Sequence, residues 1–405
     1  MIGKFISSLG FTFLLASAQA ATLDDLYNFP QGRWDGRYPG GRLVMDKNGR
    51  LFGVTNQGGE YKIGTVFELR PPIAGETAWA KKTIFTFNGA NGSKPTGGLV
   101  LDKDGNLYGV TGSNDLDPGR VFELIRPRLT AGETKWTEKT LFSFNVANGK
   151  TPFGDLVIDQ AGHLYGTTYA GGADSSGTVF ELTPPVLKAG IWRFRTLHSF
   201  YAANGSYPAG GVILDQAGNL YGATSIGGCQ PTATDTPGGV VYELSPPATK
   251  GTAWKYQVLV RFKDIDGGKY PSGELTFDQA GNLYGTTSAG GPGYYGTIYQ
   301  LQPPAAGQTA WTLNTLITGP SISYPSGGVV LDQAGNIYGQ AQTYGLFKLS
   351  PSTSGKKTVW TPSPAVPSDA SIANSSELIF DPAGNLYGTT SGGVDRGTVF
   401  QVTLP

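Results

Sequence analysis

Residues 210–228 read GGVILDQAGNLYGATSIGG, and residues 239–244 read GVVYEL. The first stretch holds two β-branched, alternating runs joined by DQAGN. Its Asp215 carboxylate can accept backbone N–H groups across the turn, and Gly218 can take the positive φ that a tight hairpin loop needs. GVVYEL supplies a third strand. Pro246-Pro247 stops that strand because proline has no N–H to donate. Trp254 to Phe262 (WKYQVLVRF) supplies a fourth. We name the four strands of such a unit A, B, C and D.

The unit recurs. DxxGxLYG and its close variants place their Asp at Asp46, Asp102, Asp159, Asp215, Asp278, Asp332 and Asp381, at intervals of 49 to 63 residues. That period suits one four-stranded propeller blade and is too long for leucine-rich or helical-hairpin repeats. No segment sustains a 3.6-residue apolar period between caps, so helix content is expected to be near nil. The reading is an all-β, seven-bladed β-propeller with four antiparallel strands per blade.

The ends of the chain specify how the ring closes. The seventh unit stops after strand C, at Gly397 to Val402, and lacks a strand D. Ala21 to Phe29 (ATLDDLYNF) supplies the missing pattern, with the eight-residue interval that separates Trp79 from Phe87, Trp136 from Phe144, Trp192 from Phe200 and Trp254 from Phe262. The N-terminal strand is therefore predicted to complete the last blade and remove an exposed edge.

GGVILDQAGNLYGATSIGG with GVVYEL resembles the GloVer tandem repeat of bacterial exported proteins, and the core PxGxxxDxxGNLY is similar to the NHL repeats of six- and seven-bladed propellers. The resemblance spans nearly the whole of the chain after residue 20. It implies a propeller and export, and it brings no common activity with it.

Met1 to Lys4 is a basic start, Phe5 to Leu15 is largely apolar, and Ala18-Gln19-Ala20 has the small-x-small form that a signal peptidase reads. Residues 1–20 are read as a signal peptide and residues 21–405 as a single propeller, exported to the periplasm or beyond. No membrane span is expected after cleavage. The strand-like GTVFQVTLP at the C-terminus carries no hydrophobic tail.

Composition excludes much chemistry. Thirty basic and 30 acidic residues cancel, so no nucleic-acid partner is expected. One cysteine and two histidines leave no intrachain disulfide, thiolate zinc site or histidine cluster. His163 fills the Asn slot of an A–B turn and His198 stands in an outer strand, so neither is read as catalytic. DKDGN at Asp102 and DIDGG at Asp264 echo calcium-loop spacing without the other ligands. No cofactor, no metal and no catalytic residue are assigned. Cys229, in the longest B–C loop, is either inert or open to an intermolecular disulfide.

Connectivity sorts the loops onto two faces. A–B turns are uniform, whereas B–C loops run from three residues (Gln342 to Tyr344) to fourteen (Ser225 to Gly238). Variation over a constant scaffold places a ligand face at the B–C and D–A loops. Six of the seven tryptophans begin D strands. Trp34 instead lies in the first D–A loop, GRWDGRY, beside Arg33, Asp35 and Arg37, either as a stacking platform or as a plug for the seam between blades 7 and 1. Tyrosines in SYPAG, KYPSG and SYPSG are expected to pack against a neighbouring blade. The residues opening strand A are Arg42, Gly98, Asp155, Gly211, Glu274, Gly328 and Glu377, expected to ring the channel mouth. Their charges form either a ligand site or a solvated set with an Arg42–Glu377 pair. Trp34, Arg37, Arg42, Asp155, Glu274 and Glu377 are thus the candidate ligand-binding residues of a module for a glycan or protein partner. The rivals are a polysaccharide lyase or glycoside hydrolase using the carboxylates, and a structural envelope protein.

Overall fold

The computed structural model describes residues 20–30, 32, 34–112, 117–128, 132–187, 190–228, 237–249, 251–263, 267–355, 357–366, 372, 376–392 and 396–405. Residues 1–19 of the expected signal peptide and Cys229 lie outside them. Seven antiparallel sheets form a β-propeller. Blade 7 has the order D, C, B, A from its outer edge. Its strand D is Thr22–Asn28, paired in antiparallel register with strand C, Thr398–Thr403, so that Thr22 faces Thr403 and Asn28 faces Thr398. The closure predicted from Ala21 to Phe29 is present. The only helical element among the described residues is a single 3-10 turn, Pro292–Tyr294.

Each A–B turn is built as its chemistry dictates. Asp215 Oδ1 accepts the N–H groups of Ala217 and Asn219, and Oδ2 accepts the Asn219 side chain and the Tyr221 hydroxyl. In blade 3 the His163 ring takes the Asn part, 2.8 Å from Asp159 Oδ2, which accounts for one histidine as a turn residue. His198 lies flat on Tyr256 at 3.9 Å with Asn204 on its Nε2, and burial lowers its pKa to about 4.

Strands hold each blade together, but packing holds the blades to one another. Toward the loop face, the Phe ending strand D meets the strand C aromatic of the next blade, as in Phe29–Phe67, Phe87–Phe122 and Phe144–Phe180, with ring centroids 5.1 to 5.3 Å apart. Toward the A–B face, the Trp opening strand D meets the strand B ring of the preceding blade. Trp79–Tyr387, Trp136–Phe52, Trp192–Tyr108, Trp254–Tyr165 and Trp311–Tyr221 share edge-on geometry at 5.9 to 6.5 Å.

One backbone bond also crosses six of the seams. The residue before the D–A loop proline donates its N–H to a carbonyl in the preceding blade: Tyr38 to Arg396, Lys94 to Ile63, Thr151 to Pro118, Tyr207 to Ser176, Tyr270 to Gly238 and Tyr324 to Tyr295, at 2.6 to 2.9 Å. All six donors have φ between 47° and 61°. Such a φ is unfavourable for a side-chain-bearing residue, and the following proline restricts it further. The proline ring then rests on the glycine that opens strand C of the preceding blade. A Cβ on Gly177 would lie 2.6 Å from Pro208, and one on Gly397 would lie 2.3 Å from Pro39. The GTVFEL glycine and the YPxG proline are therefore two halves of one contact.

Deleting residues 21–30 removes the outer strand of blade 7 together with Phe29, which is fully buried. The expected result is a fall of more than roughly 10 °C in the melting temperature, or failure to fold, and an unchanged midpoint would contradict the closure.

Candidate functional site

Strand A begins earlier than the alternating run suggests. It spans Gly36–Met45 in blade 1, Lys150–Ile158 in blade 3 and Lys269–Phe277 in blade 5, with a register shift in mid-strand in each. The shift leaves three residues out of the ladder: Gly41-Arg42-Leu43, Gly154-Asp155-Leu156 and Gly273-Glu274-Leu275. The Leu points into the inter-blade core, and the middle residue is left with an N–H unpaired by the sheet. The charged positions thus lie at bulges within the channel rather than at its mouth.

There they meet across the axis. Glu274 of blade 5 accepts the Asp155 N–H of blade 3 at 2.8 Å, and Glu377 of blade 7 accepts the Glu274 N–H at 2.9 Å. Asp155 in turn accepts the Gly98 N–H of blade 2. Blades 3 and 5 are not neighbours, so these bonds run through the centre of the ring. The Arg42 guanidinium joins them, with Nε 2.9 Å from Asp155 and a terminal nitrogen 3.6 Å from Glu274. Ligating oxygens of Asp155, Glu274 and Glu377 all fall within 4.8 Å of one another. This distance admits a cation geometrically, but Arg42 already supplies a positive charge to the cluster.

Space explains the residue types. Charged and Gly residues alternate from blade 1 to blade 7. A Cβ on Gly98 would lie 2.7 Å from Asp155 Oδ1, and one on Gly211 would lie 2.2 Å from Glu274 Oε1. Only every second blade has room for a side chain on the axis.

The expected solvated set and Arg42–Glu377 pair are therefore corrected. Asp155 and Glu274 are 3% and 4% exposed, and Arg42 forms its ion pairs with them, while Glu377 spends its carboxylate on backbone N–H groups. Unsatisfied N–H groups on a crowded axis draw the carboxylates inward. Burial raises the Glu274 pKa well above the usual range, with the charges of Asp155 and Glu377 adding to the effect and Arg42 opposing it. Burial and Asp155 push Glu377 up to about 7. Burial alone would lower Arg42, but Glu274, Asp155 and Glu377 hold it above its ordinary value.

Trp34 and Arg37 sit apart from this cluster, on the loop face. Trp34 is 74% exposed, so the seam-plug reading does not describe it. Its neighbour Asp35 is pinned instead. Asp35 accepts the Tyr27 hydroxyl from strand D of blade 7 and pairs with Lys81 of blade 1, and its carbonyl receives the Gly59 N–H. Arg37 pairs with Gln57 in the ladder, and its Nε is buried without a hydrogen bond. Two of the repeat tyrosines touch a tyrosine of the preceding blade while staying partly in solvent. Tyr207 stacks on Tyr169 at 5.0 Å, and Tyr324 meets Tyr295 at 6.3 Å. Tyr169, Tyr270, Tyr294 and Tyr324 remain exposed on this face. The Ser225 to Gly238 loop lies mostly outside the described residues.

Because the fold raises the pKa of Glu377 and Glu274 above the unfolded value, it favours their protonated forms. For Glu377 that contribution is complete below about pH 4.5 and is lost as the pH rises through about 7. The urea midpoint should therefore fall between pH 5 and pH 8, and Glu377→Gln should flatten the fall. An identical slope in the variant would refute this account.

Among the described residues no helix is long and apolar enough to cross a membrane. No curated protein sequence matches the chain. Similar solved structures include the domain assigned as extracellular to a one-component system of B. thetaiotaomicron. It is 14% identical with a TM-score of 0.54, over 96% of this chain and 42% of that one. A protein assigned as an oxidoreductase of the glucose dehydrogenase type from Thermus thermophilus is 17% identical with a TM-score of 0.49, over 76% of this chain and 96% of that one. A gluconolactonase from Xanthomonas campestris is 16% identical with a TM-score of 0.42, over 75% and 83%. At such identities the likeness is one of fold. The Gloeobacter/Verrucomicrobia repeat family matches residues 7–130 and 127–348, and the chain belongs to that family.

Proposed function

We propose that the protein is an exported binding module that takes a glycan on its loop face, with Trp34 as the anchor. The carrying observation is the contrast between an indole 74% in solvent and its neighbour Asp35, fixed by bonds to two blades. A large exposed ring on a rigid mount loses little entropy on binding, which suits stacking against a sugar face. Exposed tyrosines of other blades, Tyr169, Tyr270, Tyr294 and Tyr324, lie on the same face. A protein partner would use the same anchor. Cleavage after Ala20 accounts for export, consistent with the basic, apolar and small-residue order of residues 1–20.

The hydrolase or lyase reading finds some support in carboxylates that approach one another and have raised pKa values. Against it, Asp155 and Glu274 are 3% and 4% exposed, with one oxygen of each on a backbone N–H and the other facing Arg42, and such burial leaves a sugar ring no approach.

A glycan array of the purified protein, followed by titration of the best ligand, tests the proposal. Trp34→Ala should weaken binding by about 1 to 3 kcal/mol and leave the urea midpoint within about 0.5 kcal/mol of the parent. Binding that survives the substitution unchanged, or release of reducing or unsaturated sugar ends, would overturn it.

A further inference from the structure

Blade 3 passes from strand C to strand D through residues 184–192, PPVLKAGIW, at the A–B end of the blade. Three aliphatic side chains of this loop stand in solvent: Val186 is 98% exposed, Leu187 76% and Ile191 86%. Single apolar residues are ordinary on a surface, but three within six positions form a patch. The repeat does not require them. Corresponding segments read IAGETAW in blade 1, ATKGTAW in blade 4 and AAGQTAW in blade 5, with Ala before the tryptophan where blade 3 has Ile191. Ile73 is the one exposed aliphatic residue of those three segments.

The loop is firmly mounted, and part of its backbone needs no water. Pro184 and Pro185 bring no N–H, and Gly190 donates its own to the Leu187 carbonyl at 2.8 Å. Behind the tip, Trp192 is buried edge-on to Tyr108 of blade 2 at 6.0 Å, and Arg195 donates to the Thr252 carbonyl in the blade 4 loop at 2.7 Å. Basic side chains share this end of blades 2 to 4, where Arg128, Lys135, Arg193 and Lys255 are exposed. Of the acids there, Glu133 accepts the Arg128 N–H, Glu138 accepts the Thr140 hydroxyl, and Asp102, Asp159 and Asp215 are engaged by their own turns. Lys103 offsets Asp104. The other side of the ring differs: residues 302–316 of blade 5 carry no charge, and residues 20–28 of blade 7 carry Asp24 and Asp25 alone.

We propose that this end of blades 2 to 4 docks on an anionic lipid surface, with Val186, Leu187 and Ile191 entering the boundary between headgroups and acyl chains. Shape and charge both favour a bilayer. A side chain exposed nearly all round sheds its water completely only in an apolar fluid, whereas a flat protein surface would cover one side of it. Negative headgroups complement the cations beside the tip, and salt screens that attraction. The surface lies on the face opposite Trp34 and does not rest on the glycan reading.

Co-sedimentation with vesicles of phosphatidylglycerol and phosphatidylcholine in equal parts, against phosphatidylcholine alone, tests the proposal. The protein should partition at least tenfold more strongly onto the anionic vesicles, and less so as salt rises from about 0.05 M to about 0.5 M. Val186→Ser with Leu187→Ser and Ile191→Ser should lower that partition at least tenfold at an unchanged urea midpoint. Arg128→Gln with Arg193→Gln and Lys255→Gln should lower it at least threefold and flatten the salt dependence. Trp34→Ala should partition as the parent does. Should the triple serine variant fail to fold, Leu187→Asp alone should lower the partition at least threefold. Absence of binding to the anionic vesicles, equal partition of the serine variant and the parent, loss of binding in Trp34→Ala, or a parent dimer in sedimentation that the serine variant loses would each overturn the proposal.

Discussion

The contact on which the ring depends is the proline of one blade seated on the glycine of the blade before it, with the residue ahead of that proline forced to positive φ. Blades share no strand ladder, so nothing in the sheets themselves sets the angle or spacing between neighbours. The proline–glycine contact sets the spacing, and the adjoining backbone bond sets the register. Each left-handed residue costs on the order of 1 kcal/mol or more, and six are tolerated because the surrounding seam over-determines them. Phe on one side of this contact and Trp on the other then fill a gap whose width is already decided.

The fixed spacing governs the axis as well. Seven inner strands brought this close would leave their bulge N–H groups facing each other, with little room for water. Carboxylates from alternate blades satisfy those donors, at the cost of gathering three acids around a single arginine. The resulting cluster is better understood as the hub that ties non-adjacent blades than as an opening for ligands. Exposed aromatic residues are found instead where the loops vary, and Trp34 among them adjoins Asp35, which is held at the seam between blades 7 and 1.

Much of this was legible in the amino-acid order. The Asp turn, the Pro-Pro stops and the Ala21 to Phe29 match each follow from local chemistry, and each is present as read. The inner half of strand A was not, because Tyr38-Pro39-Gly40-Gly41 has the composition of a loop and becomes a strand only when the neighbouring blade receives it. The pairing of Arg42 was misjudged for a related reason. Glu377 is its neighbour in ring order, but the bulge turns the side chains to the axis, where distance no longer follows blade order. The alternation of Gly with charge was visible in the sequence and carried the signal.

That alternation has an arithmetic consequence. An alternating pattern closes perfectly on an even ring and must fail once on an odd one. With seven blades the failure falls between blade 7 and blade 1, where Glu377 and Arg42 stand side by side without an intervening glycine. The defect coincides with the seam at which the two ends of the chain are joined, and it is filled by residues of opposite charge. Duplication or loss of one internal blade would set two charged or two glycine positions together elsewhere on the axis, whereas an adjacent pair of blades carries one of each and adds no second defect. Inside the ring, gains or losses by adjacent pairs of blades should thus be the tolerated kind.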